Sequence, residues 1–435
     1  MKAATHTHVI DVQALRVGMF VHLDVGWMSH PFPLSSFRIT TPAQVATIRS
    51  LGLTQVRWSP QQSDPEALAP EPEKAAADVV EAAANESTIE PAADLDGSPS
   101  DRAAAERGRR LQAQREAQQR CERQYGEASR ACRQTLELVA GKPREAKAQA
   151  EALTRALVDK MLVEQELCIR MLAENAGDKA SMHAMNVGIV SLLMGRCFGF
   201  GAEDMLDLGV GAMMHDIGKL DLPPRMRHRE DNFSPSEVRV YEEHVELGLV
   251  QARRMGLSAG ATAVIGQHHE HADGSGFPGQ LNTDRMTMPA RIVALVNRYD
   301  SLCNPRLMAK AMTPHESLSL LFAQGRSKFD TSILGAFIKM MGVYPPGSAV
   351  QLTDDRYGLV VAVNSSRPLK PSVLVHEAGI AREDALVLDL ETTPGLGIRR
   401  SIRPQQLPPT ALEYLAPGAR VAYFFEPAAA LEENA

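Results

Sequence analysis

Residues that can ligate metal ions concentrate in the middle of this 435-residue chain. Seven of the thirteen histidines fall within residues 183–271, and most of them lie close to acidic residues. Imidazole and carboxylate groups are the ligands expected for iron, manganese or zinc. The candidate metal ligands are His183, His215, Asp216, His244, His268 and His269.

The segments that carry these residues have the hydrophobic spacing of helices. The pair His215-Asp216 follows the apolar segment LDLGVGAMM and precedes IGK, so Lys219 comes one helical turn after His215. The other candidate ligands lie one predicted helix away on either side. Ligands on separate helices can converge inside a helical bundle. A lone HD pair or helix histidine is usually structural, so it is the ordered set that predicts a site.

The fold class predicted from these patterns is mainly α, a helical bundle between two smaller modules. Amphipathic segments such as ALTRALVDKMLVEQELCIRML and HESLSLLFAQ predict an all-α domain. The later runs RYGLVVAVN, PSVLVHE and DALVLDL predict short strands. Near the start, Thr41 and Pro42 predict a helix that ends at Gly52 between β-like runs.

Composition divides the chain further. Residues 61–100 contain ten acidic residues and only Lys74, so they predict a disordered linker with a local charge of -9. The next stretch is charged and helical by propensity, either a solvated helix or a dimerising stalk. The predicted order is a mixed α/β module (1–60), the acidic linker (61–100), a charged helical connector (101–149), the helical domain (150–345) and a β-rich extension (346–435).

The remaining composition excludes several classes of protein. The net charge is -7, which leaves about +2 outside the linker and no broad basic face for a nucleic-acid polymer. No run of about twenty apolar residues is present, so no membrane span is expected. The five cysteines form no CxxC pair, and no signal peptide is evident. These features predict a soluble, cytoplasmic protein.

The ordered motifs resemble the HD-GYP family, bacterial phosphodiesterases of cyclic di-GMP within the HD phosphohydrolases. MMHDIGKLDLP is similar to the HD motif of the family. HHEHADGSGFP is similar to its HHE…DGxGYP motif, with Phe277 in place of the usual tyrosine, and YEEHVELG resembles the segment of the intermediate histidine. Residues 8–60 resemble a small N-terminal module of unassigned role that often accompanies this domain. The segment that starts at MGVYPPG resembles the β-rich tail that often follows it.

This resemblance implies a dinuclear centre of two divalent ions, iron or manganese. His183, His215 and Asp216 would hold one ion, and Asp216 would bridge to a second ion held by His244, His268 and His269. A bridging hydroxide would attack the phosphorus, and Lys219 would stabilise charge on the phosphate. The implied substrate contacts are Lys219, Asp273, Gly274, Gly276, Phe277, Pro278 and Arg306. In the alternative interpretations, Lys219 is a lysine that neutralises the dipole at a helix C-terminus, and Gly274, Gly276 and Pro278 simply form a turn.

Three positions depart from the family pattern. Asn297, in LVNRYDSL, stands where the family has an aspartate ligand, and Asp300 follows one helical turn later. Lys179 stands where some members have a glutamate that binds a third metal, so a third ion is not expected. The RPYR-like segment that is thought to grip the substrate reads Arg306-Leu307-Met308-Ala309.

Two functions therefore stay open. The first is a metal-dependent phosphodiesterase that hydrolyses cyclic di-GMP. The second is a degenerate domain that binds cyclic di-GMP or a partner protein and signals without turnover. A hydrolase for another nucleotide is disfavoured, because DGSGFP follows the HHE motif so closely. A homodimer or a signalling partner protein is compatible with either function.

Overall fold

A computed structural model of the chain describes residues 7–25, 36–64, 99–163, 166–172, 181–325, 327–418 and 420–427. Most of the predicted acidic linker lies outside these residues, as does Lys179. The chain divides into two compact units, with the boundary between Arg109 and Arg110. In the residues described, no helix is both long enough and apolar enough to span a bilayer.

The first unit is a small mixed α/β module, as predicted. Its strands are β1 (His8–Asp11), β2 (Phe20–His22), β3 (Ser36–Arg38) and β4 (Gln55–Trp58), and they form an antiparallel sheet in the order β1-β4-β2-β3. Helix α1 (Pro42–Ser50) starts at the predicted Thr41 cap, where Thr41 and Gln44 form a reciprocal capping box. Gly52 follows the helix with φ 73°, a conformation that favours glycine.

Two long helices, α2 (Pro99–Gly141) and α3 (Pro143–Val163), precede the central domain. The prediction of a solvated helix is wrong for the second half of α2, because Cys121, Tyr125 and Cys132 are buried. The Tyr125 ring meets Phe424 edge to face at 6.0 Å between centroids. This half of α2 is therefore packed within the second unit.

A helical bundle forms the centre of the second unit, which confirms the predicted fold class. Its helices are α4 (Met182–Cys197), α5 (Ala202–Met214), α6 (Pro235–Glu242), α7 (His244–Met255), α8 (Ala259–Gln267), α9 (Met288–Cys303), α10 (Pro314–Gln324) and α11 (Thr331–Met341). Helix α4 is buried on nearly all sides and packs against α5 and α9. Helix α5 packs in turn against α8.

The all-α prediction for residues 150–345 is wrong at one segment, because β5 (Leu167–Leu172) is a strand. It joins a sheet with β6 (Ala349–Leu352), β7 (Tyr357–Asn364), β8 (Ser372–Val375), β9 (Val387–Asp389), β10 (Ile398–Ser401) and β11 (Ala422–Pro427); α12 (Pro409–Leu415) precedes β11. The sheet order is β10-β6-β7-β5-β11, with β8 paired to β7 and β9 paired to β8. A short apolar run fits a helix or a buried strand equally well. Residues 167–172 form a strand because β7 and β11 pair with the two edges of β5.

Candidate metal centre

The predicted ligands converge in two groups that share one aspartate. Asp216, His244, His268 and His269 place ligand atoms within 4.8 Å of one another, and so do His183, His215 and Asp216. They come from different helices, namely α4, the C-terminal ends of α5 and α8, and the start of α7. The bundle therefore assembles residues that are up to 86 positions apart in sequence.

The two oxygens of the Asp216 carboxylate face different histidines. Oδ2 lies 3.7 Å from Nε2 of His183 and 3.4 Å from Nε2 of His215. Oδ1 lies 3.6 Å from Nε2 of His244 and 3.7 Å from Nε2 of His268. The carboxylate thus stands between two sets of nitrogen atoms, which is the arrangement of a bridging ligand.

A close helix contact brings Asp216 to His244. After α5 the chain forms a 3-10 helix (Ile217–Asp221) that lies directly on α7. A Cβ on Gly218 would come 1.9 Å from the backbone oxygen of His244 and 2.4 Å from the nitrogen of Gly248. Only glycine fits at position 218, so the IGK segment determines how closely the two groups of ligands approach.

Three of the imidazoles are oriented by nearby backbone carbonyls. The Nδ1–H groups of His215, His244 and His268 donate to the carbonyls of Ala212, Tyr241 and Ile265, at 2.6, 2.6 and 2.8 Å. Each acceptor lies three residues earlier in the chain. Because a carbonyl can only accept, Nδ1 carries the proton and the Nε2 lone pair of the neutral ring points to the centre. This is the tautomer that binds a metal through Nε2.

His183 is oriented differently, by a carboxylate from another helix. Its Nδ1–H donates to Oδ2 of Asp300 at 2.6 Å. Asp300 is buried on α9, and its other oxygen accepts from the amides of Asn186 and Asn304 at 2.7 and 2.8 Å. A carboxylate behind a ligating imidazole fixes the ring and increases its basicity.

Burial keeps most of the cluster neutral. It lowers the pKa of His215 to about 4 and that of His244 to about 3, and it holds the pKa of His269 well below its usual value. Burial opposes ionisation of Asp216, but Lys219 and His215 outweigh it and hold the pKa of that carboxyl well below its usual range. Lys219 donates to Oδ2 of Asp216 at 2.6 Å. The centre thus combines a carboxylate with lone pairs that are available at neutral pH.

The polar atoms of the cluster fit a bound cation. Asp216 Oδ1 and His269 Nε2 are buried without any hydrogen-bond partner. The Nε2 atoms of His183 and His215 lie 3.1 Å apart, and those of His244 and His268 lie 3.4 Å apart. Facing lone pairs repel, and buried acceptors without partners are costly. A divalent ion between them would satisfy these atoms together.

The glycine-rich loop after α8 is tied to the centre by Glu270. This buried carboxylate accepts from the backbone nitrogens of Gly279 and Leu281 at 2.5 and 2.9 Å. A Cβ on Gly276 would come 2.5 Å from the carbonyl oxygen of His269, so the loop lies against the ligand segment. The Phe277 ring stacks on His269, with centroids 4.6 Å apart.

The other predicted site residues contact partners outside the ligand set. Asp273 is exposed and accepts from the backbone nitrogen of Ser275, next to Gly274 at φ 77° and close to Pro278 on the same loop. The Arg306 guanidinium forms an ion pair with Glu230 at 3.0 Å. Asn297 is buried on α9, and its side-chain oxygen accepts from Ser301 at 3.4 Å.

Sequence reasoning gave no role to three residues beside the site. Asp300 orients His183, Glu270 holds the loop, and the Tyr241 ring lies 5.4 Å from the Lys219 ammonium. The sequence could have identified Asp300 as a residue near the site, because it stands three positions after Asn297 and shares a helix face with it. For Glu270 the signal was an acidic residue between two ligands and a glycine-rich loop.

Comparison with known families agrees with this geometry. The HD domain family matches residues 138–333, and a domain of unknown function, DUF3391, matches residues 7–150. The helical fold is that of an HD-type domain, and its histidine–aspartate cluster is one that could hold metal ions. The resemblance predicted from the sequence is confirmed: a DUF3391 match is followed along the chain by an HD-domain match.

Individual relatives share part of the chain. The cyclic di-GMP phosphodiesterase PA4108 of Pseudomonas aeruginosa is 27% identical over 197 residues, which are 45% of this chain and 47% of that protein. The 3'3'-cGAMP-specific phosphodiesterase 1 of Vibrio cholerae is 26% identical over 37% of this chain and 38% of its own. The solved structure of Bd1817, a HDG"Y"P protein from Bdellovibrio bacteriovorus, is 15% identical with a TM-score of 0.35, covering 76% of this chain and 98% of that one. The chain spans about half the length of the first of these relatives, or less for the second.

Proposed function

We propose that this protein is a metal-dependent phosphodiesterase that hydrolyses cyclic di-GMP at a centre of two divalent ions. The observation that carries the proposal is the position of Asp216, with one oxygen toward His183 and His215 and the other toward His244 and His268. One carboxylate between two groups of imidazole nitrogens supports two adjacent cations. Relatives that are named cyclic di-GMP phosphodiesterases support the choice of substrate.

In this proposal each side chain has a defined task. Two adjacent ions, iron or manganese, would activate water and neutralise phosphate oxygens. Asp216 would hold both ions in place, and the Lys219 ammonium beside it would stabilise negative charge that develops on the phosphate. Phe277, stacked on His269, offers an aromatic surface at the edge of the centre, and the loop through Gly274 and Pro278 borders it. Asn297 would contribute a neutral oxygen where a carboxylate would bind more tightly.

The test is metal content and turnover measured on the same full-length protein. The protein is purified without chelator, and iron and manganese are quantified by mass spectrometry. Cyclic di-GMP hydrolysis is then followed with and without added manganese. About two ions per chain, together with hydrolysis that stops in chelator, is the expected result. Cyclic di-GMP binding without any ion and without turnover would instead establish the degenerate signalling domain.

A second substrate, 3'3'-cGAMP, has an observation in its favour. A relative that is specific for 3'3'-cGAMP is 26% identical to this chain, against 27% for the cyclic di-GMP phosphodiesterase PA4108. Specificity is decided by comparing kcat/KM for both cyclic dinucleotides. A higher kcat/KM for 3'3'-cGAMP would identify 3'3'-cGAMP as the substrate in place of cyclic di-GMP. The proposal for the metal centre would remain the same.

A further inference from the structure

A surface cavity of about 370 Å³ lies between the start of α10 and strand β10. Arg399, Arg400 and Arg403 line one side, and His315, Glu316 and Tyr344 line the other. None of these residues belongs to the metal centre. The cavity falls within the size range of small-molecule sites.

A β-bulge brings the arginines to one place. Strand β10 pairs Ile398 with Leu352 but Arg400 with Gln351, so Arg399 is an extra residue in the ladder. In a regular strand neighbouring side chains point to opposite faces, whereas a bulge redirects them. Arg399 and Arg400 consequently both line the cavity, and Arg403 reaches it from the turn that follows.

The positive charge of the cavity is only partly neutralised. Three arginines and one glutamate among its lining residues give a formal charge of +2. Arg403 pairs with Glu316, Arg399 pairs with Asp355, and Arg400 donates to the neutral Gln351 at 3.0 Å. The side chains of Arg399 and Arg403 are 47% and 68% exposed. Ion pairs at this exposure contribute little, so an incoming anion can displace them.

The opposite side of the cavity is aromatic. The rings of His315 and Tyr344 are stacked, with centroids 5.2 Å apart and planes at 24°. His315 Nδ1–H donates to the carbonyl of Val343 at 2.8 Å, which fixes its ring. Tyr344 also packs against the core of the β-rich part, so the pair is a rigid wall.

We propose that this cavity binds an anionic nucleotide. The guanidinium groups would hold the phosphate through paired hydrogen bonds, for which arginine is suited. The base would lie along the wall formed by His315 and Tyr344. The chemistry that the cavity recognises is a phosphate ester with a planar base. Cyclic di-GMP itself and a mononucleotide such as GMP both have this chemistry. This site goes beyond the proposed hydrolysis, since it shares no residue with the metal centre.

The experiment measures binding by calorimetry on full-length protein kept in excess chelator, so that hydrolysis has no part in the result. Cyclic di-GMP, GMP and inorganic phosphate are the three probes. Arg400→Ala/Arg403→Ala is compared with Arg382→Ala, which removes an exposed arginine elsewhere in the β-rich part. A second pair, Arg400→Gln/Arg403→Gln, preserves side-chain length in case the alanine pair folds poorly. His315→Leu removes one ring of the wall.

Binding of at least one nucleotide should weaken about tenfold or more in both arginine pairs and remain unchanged in Arg382→Ala. The probe that loses affinity identifies the source. His315→Leu should weaken nucleotide binding and leave phosphate binding unchanged. Equal nucleotide affinity in the arginine pairs and the control would overturn the proposal. It would also be overturned if phosphate bound as tightly as both nucleotides, because the cavity would then be a simple anion site.

Discussion

The imidazoles of the candidate metal centre are supported in two different ways. His215, His244 and His268 are each oriented by a carbonyl three residues earlier, and all three are buried. His183 is oriented by Asp300, which lies 117 positions further along the chain, and its side chain is 33% exposed. The first arrangement is a local property of the helix ends. The second depends on the packing of α9 against α4, so the His183 side should respond to more distant changes.

The largest effect is expected where the two groups meet. Asp216→Ala should abolish binding of both ions, because both groups use this carboxylate. The loss of several kcal/mol of charge stabilisation corresponds to a fall in kcat of about 10³-fold or more. Metal analysis and cyclic di-GMP turnover check this, with the exposed Glu203→Ala on the preceding helix α5 as the control. Wild-type metal content in Asp216→Ala would show that the metal ions bind elsewhere in the protein.

Asp300→Asn should weaken one group of ligands selectively. The amide keeps the shape of the side chain but loses the charge that orients His183. Changes of this kind typically cost about 10–100-fold in metal affinity or activity. Metal titration should show one weakened site and one site that keeps wild-type affinity. Equal weakening of both sites would mean that the two groups are not supported independently.

The two kinds of histidine should also respond oppositely to pH in metal-free protein. The pKa values of His215 and His244 are lowered to about 4 and about 3 by burial, while the unfolded chain titrates near 6.5. The stability that these two groups contribute to the folded protein is therefore lost as the pH falls below about 6.5. Burial lowers the pKa of His183, but the bond to Asp300 outweighs it and the net pKa is raised. The contribution of His183 is thus present at low pH and is lost as pH rises through its folded pKa.

Urea midpoints at pH 7.5 and pH 5.0 in chelator test this difference in sign. The wild type should have the lower midpoint at pH 5.0. His244→Gln should reduce the fall in the urea midpoint between pH 7.5 and pH 5.0, and His183→Gln should increase this fall. The same change in both variants would show that the two histidines titrate alike.

A smaller gain is expected from Asn297→Asp. Asn297 and Asp300 lie three positions apart on α9, so they share a face toward the His183 group. A carboxylate attracts a divalent ion more strongly than an amide oxygen does, and metal affinity and turnover should rise severalfold. Ser301→Ala, which removes only the hydroxyl that contacts Asn297, is the matched control. Identical affinity and rates in Asn297→Asp and wild type would place residue 297 outside the site.

The smallest effect should come from Phe277→Tyr. The added hydroxyl restores the usual family residue while preserving the stack on His269. KM for cyclic di-GMP should change by only a few fold, and metal content should not change. Phe277→Leu, which removes the ring, should raise KM further. A large loss of metal in either variant would show that the stack holds His269 in place.

The residues of the candidate centre and the class of the fold could be predicted from short-range patterns in the chain. Helical spacing around His183, His215 and His244 indicated a bundle, and the order of the motifs indicated which residues meet. These inferences hold because helix periodicity and local capping, such as the Thr41 capping box, depend on residues only a few positions apart. The same locality accounts for the imidazoles that donate to carbonyls three residues earlier.

Features that depend on contacts between distant parts of the chain could not be predicted in this way. The run LCIRML became β5 because β7 and β11 supply strand partners on both edges. Asp300, rather than a neighbouring carbonyl, orients His183, and Arg306 turns to Glu230 instead of the ligand cluster. The bulge at Arg399 gathers the arginines of the surface cavity between α10 and β10. Each of these outcomes depends on which surfaces the bundle and the sheet bring together, and no short-range pattern in the sequence encodes that choice.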